Sequence, residues 1–264
     1  MHGTSEADKV LSRVENGVGW ITFNNPERRN AMSLDMWART ADYLEAYAKD
    51  DKVRVVVLTG AGDKAFVSGA DISKFGTERS TPEAIAQYAE TTKRVNDQLY
   101  AYPKPTIAMI RGYCVGGGLG LALACDLRFC VTGSQFSVPA AKLGLGYAYP
   151  GIKRLVDTVG IAFAKEIFFT AKLFTSQQAY EMGLVNRVVP EAELAAFVDD
   201  YAQTIAGNAP LTVNSTKFII DQSAALDPDL EKCDAMVAAC FASSDYREGR
   251  SAFMEKRKPK FTGS

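Results

Sequence analysis

The chain has 264 residues, of which 47% are hydrophobic, and this length and composition exclude disordered and fibrous proteins. Its 30 Lys and Arg against 31 Asp and Glu give a formal net charge of −1. A balance this close to neutral provides no positive field for a nucleic-acid backbone, so we expect no nucleic-acid partner.

The predicted elements, in chain order, are those of an α/β protein with a helical end. Val18–Phe23 alternates as a strand does, and apolar residues recur at helical spacing after Ser33, a capping residue type. Residues 65–72 are predicted as a loop of small residues. Further predicted strands are 54–59, 106–110, 127–131 and 135–138, and further predicted helices are 81–100, 119–124, 162–169, 176–182 and 191–206.

The domain organisation follows from the absence of a clear linker. We expect a single domain over 1–264, with an α/β core over about 1–200 and a helical extension over about 201–264.

Several kinds of site are excluded by residue types that the sequence lacks. The only histidine is His2, which excludes a Ser-His-Asp triad, a Cys-His pair and a histidine zinc site. The five cysteines form no C-x-x-C pair, so we expect them to be reduced and buried and expect no metal. No apolar run approaches the roughly 20 residues that span a bilayer, and no secretory signal is visible. We expect a cytoplasmic protein that uses carboxylates, phenols, backbone N–H groups or a cofactor.

Two glycine-containing loops are the clearest candidates for a site. Residues 65–72 and 114–120 each follow a buried strand and precede a helical segment, so each can present an N–H group at a helix N-terminus. Either loop alone is consistent with close backbone packing. Together, in this order, they favour an oxyanion hole made of two converging donors.

The motifs of the chain, in their order, resemble those of the crotonase superfamily, the enoyl-CoA hydratase/isomerase family. The segments that carry the resemblance are 24–33, 68–72, 111–118, 124–128, 179–186 and 248–259, together with Gly160. The resemblance implies an α/β fold with a ββα spiral core and a C-terminal helical trimerisation region. It further implies an acyl-CoA thioester substrate, a homotrimer or dimer of trimers, and no cofactor beyond the CoA moiety of the substrate.

The resemblance also assigns residues. Ala70 and Gly117 match the two residues whose N–H groups hold the thioester oxygen while it carries the charge of an enolate. The residues matched to CoA binding are Arg28, Ser68, Ala70, Asp71, Ile72, Phe253 and Lys256. Asp71 is also a candidate catalytic acid, but a helix-capping role is the favoured interpretation of this residue.

The chain departs from the family pattern where hydratases carry two glutamates. In the register of the glycine run, these positions fall on Gly120 and Ala140, neither of which transfers a proton. Tyr147 and Tyr149, in the loop that follows, are candidate catalytic groups or lining residues of an acyl pocket. A further candidate source of a catalytic acid is the segment that carries Glu78, Glu83 and Glu90.

Three functions therefore remain open. The first is an enoyl-CoA hydratase/isomerase family enzyme that stabilises a thioester enolate and hydrates slowly. The second is a decarboxylase of malonyl-type acyl-CoA esters, or an enoyl-CoA isomerase, that uses the loop tyrosines. The third is an acyl-CoA-binding protein without catalysis.

Overall fold

The structure is a computed structural model that describes residues 9–78 and 80–264, with Phe75 described by its backbone alone. His2 lies outside the described residues. The strands are β1 (Val10–Glu15), β2 (Val18–Phe23), β3 (Val55–Gly60), β4 (Ala65–Val67), β5 (Thr106–Ile110), β6 (Tyr113–Val115), β7 (Leu127–Val131), β8 (Gln135–Ser137), β9 (Phe174–Thr175) and β10 (Arg187–Val189). The helices are α1 (Leu34–Lys49), α2 (Phe75–Glu78), α3 (Pro82–Tyr100), α4 (Gly117–Ala124), α5 (Tyr149–Thr170), α6 (Ser176–Glu181), α7 (Leu194–Gly207), α8 (Pro210–Ser223), α9 (Leu230–Ala242) and α10 (Ser244–Glu255).

The strands form two sheets. The larger has the order β1-β2-β3-β5-β7-β10 and is parallel except for the β1–β2 hairpin. The smaller has the order β4-β6-β8-β9, with β4, β6 and β8 parallel to one another. Three successive strand pairs, β3–β4, β5–β6 and β7–β8, each contribute their first strand to the larger sheet and their second to the smaller. This repeated step is the predicted ββα architecture.

The predicted elements of the core agree with the structure, with local differences. The strand 106–110 and the helix that follows the cap at Ser33 lie where the sequence predicts them, and the Ser33 side chain accepts from Met36 N–H. Residues 65–67, predicted as part of a loop, are strand β4. Helix α4 begins at Gly117, two residues before the prediction.

The largest difference is α5, which begins at Tyr149, well before the predicted 162–169. Gly160 interrupts it with a φ of 77°, a conformation that other residues rarely adopt. The sequence did not predict the start of this helix, because the aromatic and glycine residues at 147–151 do not show the apolar spacing of a helix.

The core lies between the sheets and the helices that cover them. Among its fully buried large side chains are Trp37, Phe23, Phe66, Tyr102 and Phe136. Of the five cysteines predicted to be buried, Cys240 on α9 is only half-buried, whereas Cys233 is buried. The three cysteines between 114 and 130 are buried, as predicted, and burial raises the pKa of the Cys125 thiol to about 12. They are protonated and unreactive at neutral pH.

The C-terminal helices leave apolar side chains exposed, among them Phe241, Phe253 and Met254. The N-terminus of α10 is tied to the residues that follow the helix, because Asp245 accepts from the N–H groups of Thr262 (2.7 Å) and Gly263 (2.8 Å). Within the described part of the chain, we find no helix with the length and apolar character that a membrane span requires.

Candidate active site

The two predicted loops meet at one end of the smaller sheet. Strands β4 and β6 are parallel neighbours, so their carboxyl ends lie side by side. Gly69 and Gly116 follow these ends with φ values of 115° and 56°. A Cβ atom built on Gly116 would lie 3.9 Å from the Cα of Gly69, which places the two loops in contact.

Each loop presents one backbone N–H group at this junction. Met32 N–H donates to Gly69 O (2.8 Å) and Asp71 N–H donates to Met32 O (2.9 Å). Since N–H directions alternate along extended chain, the Ala70 N–H points away from Met32. Gly117 is the first residue of α4, where an N–H group has no acceptor within the helix. Among the described residues, neither N–H group has a hydrogen-bond partner.

Helix α4 exposes bare backbone on one side. Of its eight residues, all but Gly117 and Gly120 are buried, and these two lie three residues apart on one face. On the opposite side, Gly118 packs so closely that a Cβ atom there would lie 2.1 Å from Val67 O. The helix therefore packs against β4 through Gly118 and leaves Gly117 and Gly120 half-buried on its other side.

The position matched to the first glutamate is open and has polar neighbours. A Cβ atom built on Gly120 would lie 3.6 Å from Asn96 Oδ1 and 3.9 Å from the Tyr147 hydroxyl oxygen, both ordinary contacts. Ala140, the position matched to the second glutamate, is buried in the core. The sequence did not indicate Asn96 as a site residue, because it resembles any polar residue of an amphipathic helix.

The two loop tyrosines have different surroundings. The Tyr147 ring packs edge-on against Phe168, with centroids 5.0 Å apart, and burial raises the pKa of its phenol. A Cβ atom on Gly151 would lie only 2.7 Å from the ring of Tyr147, so the glycine leaves room for it. Tyr149, at the start of α5, is 75% exposed. The structure brings Tyr147 and not Tyr149 to Gly120.

Trp37 lies beside the junction, a contact that the sequence did not indicate. Its Cζ2 atom would be 3.3 Å from a Cβ atom on Gly117, and its Nε1–H donates to the Tyr88 hydroxyl (3.0 Å). The indole thus fills the space next to the Gly117 N–H group on the side of α1.

The family model for enoyl-CoA hydratase/isomerase matches residues 13–264. The chain belongs to the enoyl-CoA hydratase/isomerase family. It is 34% identical to a short-chain-enoyl-CoA hydratase of Clostridium acetobutylicum, over 96% of this chain and 97% of the relative. It is also 34% identical to an (E)-benzylidenesuccinyl-CoA hydratase of Thauera aromatica, over 97% and 99%. Its structure resembles that of an enoyl-CoA hydratase/carnithine racemase of Magnetospirillum magneticum, with a TM-score of 0.89, 36% identity, and coverage of 97% and 96%.

These findings confirm membership of the crotonase superfamily and the predicted fold. In this enoyl-CoA hydratase/isomerase family protein, four of the residues matched to CoA binding cluster at the Ala70 loop. Ser68 N–H donates to Arg29 O (3.2 Å), and the Arg28 guanidinium lies 3.3 Å from Asp71 Oδ1. Ile72, next to them, is 70% exposed.

Asp71 is buried and has a structural contact of the kind predicted for it. Its Oδ1 accepts from Ser73 N–H (3.0 Å) at the start of the 3₁₀ turn Ile72–Lys74. The same oxygen accepts from the Arg28 guanidinium, so the carboxylate orients that group beside the Ala70 loop.

The other predicted residues of this family member lie on or next to α2, α3 and α10. Phe253 is 84% exposed on α10, and Lys256 ends that helix in the left-handed conformation. Glu83 and Glu90 lie on exposed positions of α3. Glu78 is partly buried, which raises the pKa of its carboxyl, although a hydrogen bond from Leu34 N–H (3.1 Å) opposes that effect.

Proposed function

We propose that this chain is an acyl-CoA enzyme that stabilises a thioester enolate in an oxyanion hole formed by the Ala70 and Gly117 N–H groups. The observation that supports the proposal is the contact of Gly69 with Gly116, the residues that directly precede the two unpartnered donors. Two preorganised donors at a developing oxyanion contribute several kcal/mol, each about 3 kcal/mol when removed singly.

The N-terminus of α4 adds to this stabilisation. The partial positive charge of a helix N-terminus lies at Gly117, where the thioester oxygen would accept its hydrogen bond. As the electron pair of the broken bond at the α-carbon moves onto that oxygen, both the N–H groups and the helix end favour the charge.

Tyr147 supplies a neutral hydrogen-bond donor. Because burial raises the pKa of its phenol, the hydroxyl is protonated at neutral pH and orients the acyl group without removing a proton. Arg28, Ser68, Asp71 and Ile72 are proposed to bind CoA at the Ala70 loop, with Phe253 and Lys256 closing over it from a neighbouring subunit of a homotrimer or dimer of trimers. Sedimentation measurements test the assembly.

The test of the oxyanion hole uses acetoacetyl-CoA, whose enolate absorbs in the near-ultraviolet. We expect the bound ester to form its enolate at a pH about four lower than the free ester, since two donors at about 3 kcal/mol each correspond to that difference. Binding of the ester without enolisation would instead indicate the binding protein without catalysis.

Decarboxylation forms the same enolate, because loss of CO₂ leaves the electron pair of the C–C bond on the α-carbon and the thioester oxygen. The specific observation in its favour is Tyr147, whose hydroxyl faces Gly120 and could donate to a carboxylate. We place it second, because Asn96 presents an oxygen to the same volume. Release of CO₂ from methylmalonyl-CoA at a rate exceeding all other turnover would reverse this order.

A further inference from the structure

The open face of α4 leads from the oxyanion hole to two polar atoms. Gly117 and Gly120 carry no side chains, so an acyl chain held at Gly117 meets only backbone along this face. Three residues further, about 4.5 Å along the axis, Asn96 Oδ1 and the Tyr147 hydroxyl face the same point above Gly120. Neither atom has a hydrogen-bond partner among the described residues.

The hydrogen-bonding capacities of the two atoms differ. Asn96 Nδ2 donates to the carbonyl oxygen of Thr92 (2.8 Å), and a carbonyl only accepts, so the amide orientation is fixed with Oδ1 towards Gly120. Oδ1 is an acceptor only, whereas the protonated Tyr147 hydroxyl donates. The group that complements both is one that donates to the first and accepts from the second.

We propose that Asn96 and Tyr147 form a subsite for a neutral hydroxyl group on the acyl chain, at its fourth carbon or beyond. The inference rests on the proposed function, because it requires the thioester oxygen to lie at Ala70 and Gly117. The separation of about 4.5 Å between Gly117 and Gly120 decides the position of the hydroxyl. A hydroxyl on the second carbon lies next to the thioester carbon and does not reach Gly120.

A carboxylate does not fit the pair. It accepts from Tyr147, but its negative oxygens then face the acceptor oxygen of Asn96. The guanidinium of Arg154, on the same helix as Gly151, does not compensate. It is paired with Asp97 (2.8 Å) and stacked over the Tyr100 ring at 4.5 Å, with its side chain 10% exposed. The cation is therefore already neutralised within the protein.

The test measures by calorimetry the dissociation constants of four esters bound to this protein. The esters are butyryl-CoA, 2-hydroxybutyryl-CoA, 4-hydroxybutyryl-CoA and succinyl-CoA. Two neutral hydrogen bonds of ordinary strength should make 4-hydroxybutyryl-CoA bind at least about fivefold more tightly than butyryl-CoA. The 2-hydroxy isomer should show no gain, and succinyl-CoA, with a carboxylate at the same carbon, should bind more weakly than the 4-hydroxy ester.

The variants Asn96→Leu and Tyr147→Phe should each remove most of the ratio between the affinities for 4-hydroxybutyryl-CoA and butyryl-CoA. Matched controls are Gln87→Leu on the exposed side of α3 and Tyr180→Phe on α6, both of which should keep the gain. Equal affinities of butyryl-CoA and 4-hydroxybutyryl-CoA, a gain for the 2-hydroxy isomer, or tighter binding of succinyl-CoA would overturn the subsite. Failure of all four esters to bind would instead overturn the proposed function.

Discussion

Replacing Gly117 by proline is expected to lower the equilibrium constant for enolisation of bound acetoacetyl-CoA by about 10²- to 10³-fold, since one oxyanion donor is lost. Proline is well tolerated at the first position of a helix, where its missing N–H has no helical partner and its fixed φ suits the helix. Gly116, which precedes it, is in an extended mirror-image conformation (φ 56°, ψ −117°) that glycine adopts before proline.

Alanine at the same position is the matched control. Alanine and proline both place a Cβ atom 3.3 Å from Trp37, so that contact is shared, but only alanine keeps the N–H group. We expect Gly117→Ala to retain enolisation within about tenfold of the unaltered protein. If both variants lose enolisation equally while their melting temperatures are unchanged, the loss comes from displacement of Trp37 and the role assigned to the Gly117 N–H is wrong.

Gly120→Glu is expected to raise the rate of crotonyl-CoA hydration by about 10²-fold over a slow unaltered protein, because a positioned carboxylate contributes about 10²- to 10⁴-fold to proton transfer. The Cβ atom fits, at ordinary contact distances from Asn96 and Tyr147. The measurement is the loss of absorbance of the conjugated enoyl thioester, with kcat and KM determined for each variant.

Gly120→Gln is the control for the second prediction, because its side chain has the size of glutamate and no acid. It should hydrate no faster than the unaltered protein. Ala140→Glu is unsuitable as a first choice, since it would place an unpaired carboxylate in the buried core. Rapid hydration by the unaltered protein, or equal gains from Glu and Gln, would show that Gly120 is not the vacant acid position.

The fold was largely predictable because its long elements carry strong signals. The buried strand Val55–Gly60 and the capped helix Leu34–Lys49 follow from a β-branched run and from helical spacing. Strands of three residues such as Ala65–Val67 are too short for an alternating pattern, and their pairing with β6 depends on contacts between distant parts of the chain.

The candidate site was predictable in its backbone and not in its side chains. The glycine run indicated the loop at 114–120, since only a turn or a close approach calls for consecutive glycines, and the family resemblance assigned Gly117 within it. Asn96 was not foreseeable, because its role depends on how α3 packs against α4. The choice between Tyr147 and Tyr149 depends on the path of the loop and on the room left at Gly151.

The contrast between Gly118 and Gly120 has a consequence for how this helix tolerates sequence change. Any side chain at 118 collides with the carbonyl oxygen of Val67 at 2.1 Å, so the fold itself fixes glycine there. Position 120 meets only ordinary contacts, and the fold places no demand on it. An acid can therefore be gained or lost at 120 by a few base changes without repacking, and the reaction of this scaffold can diversify while its architecture stays the same.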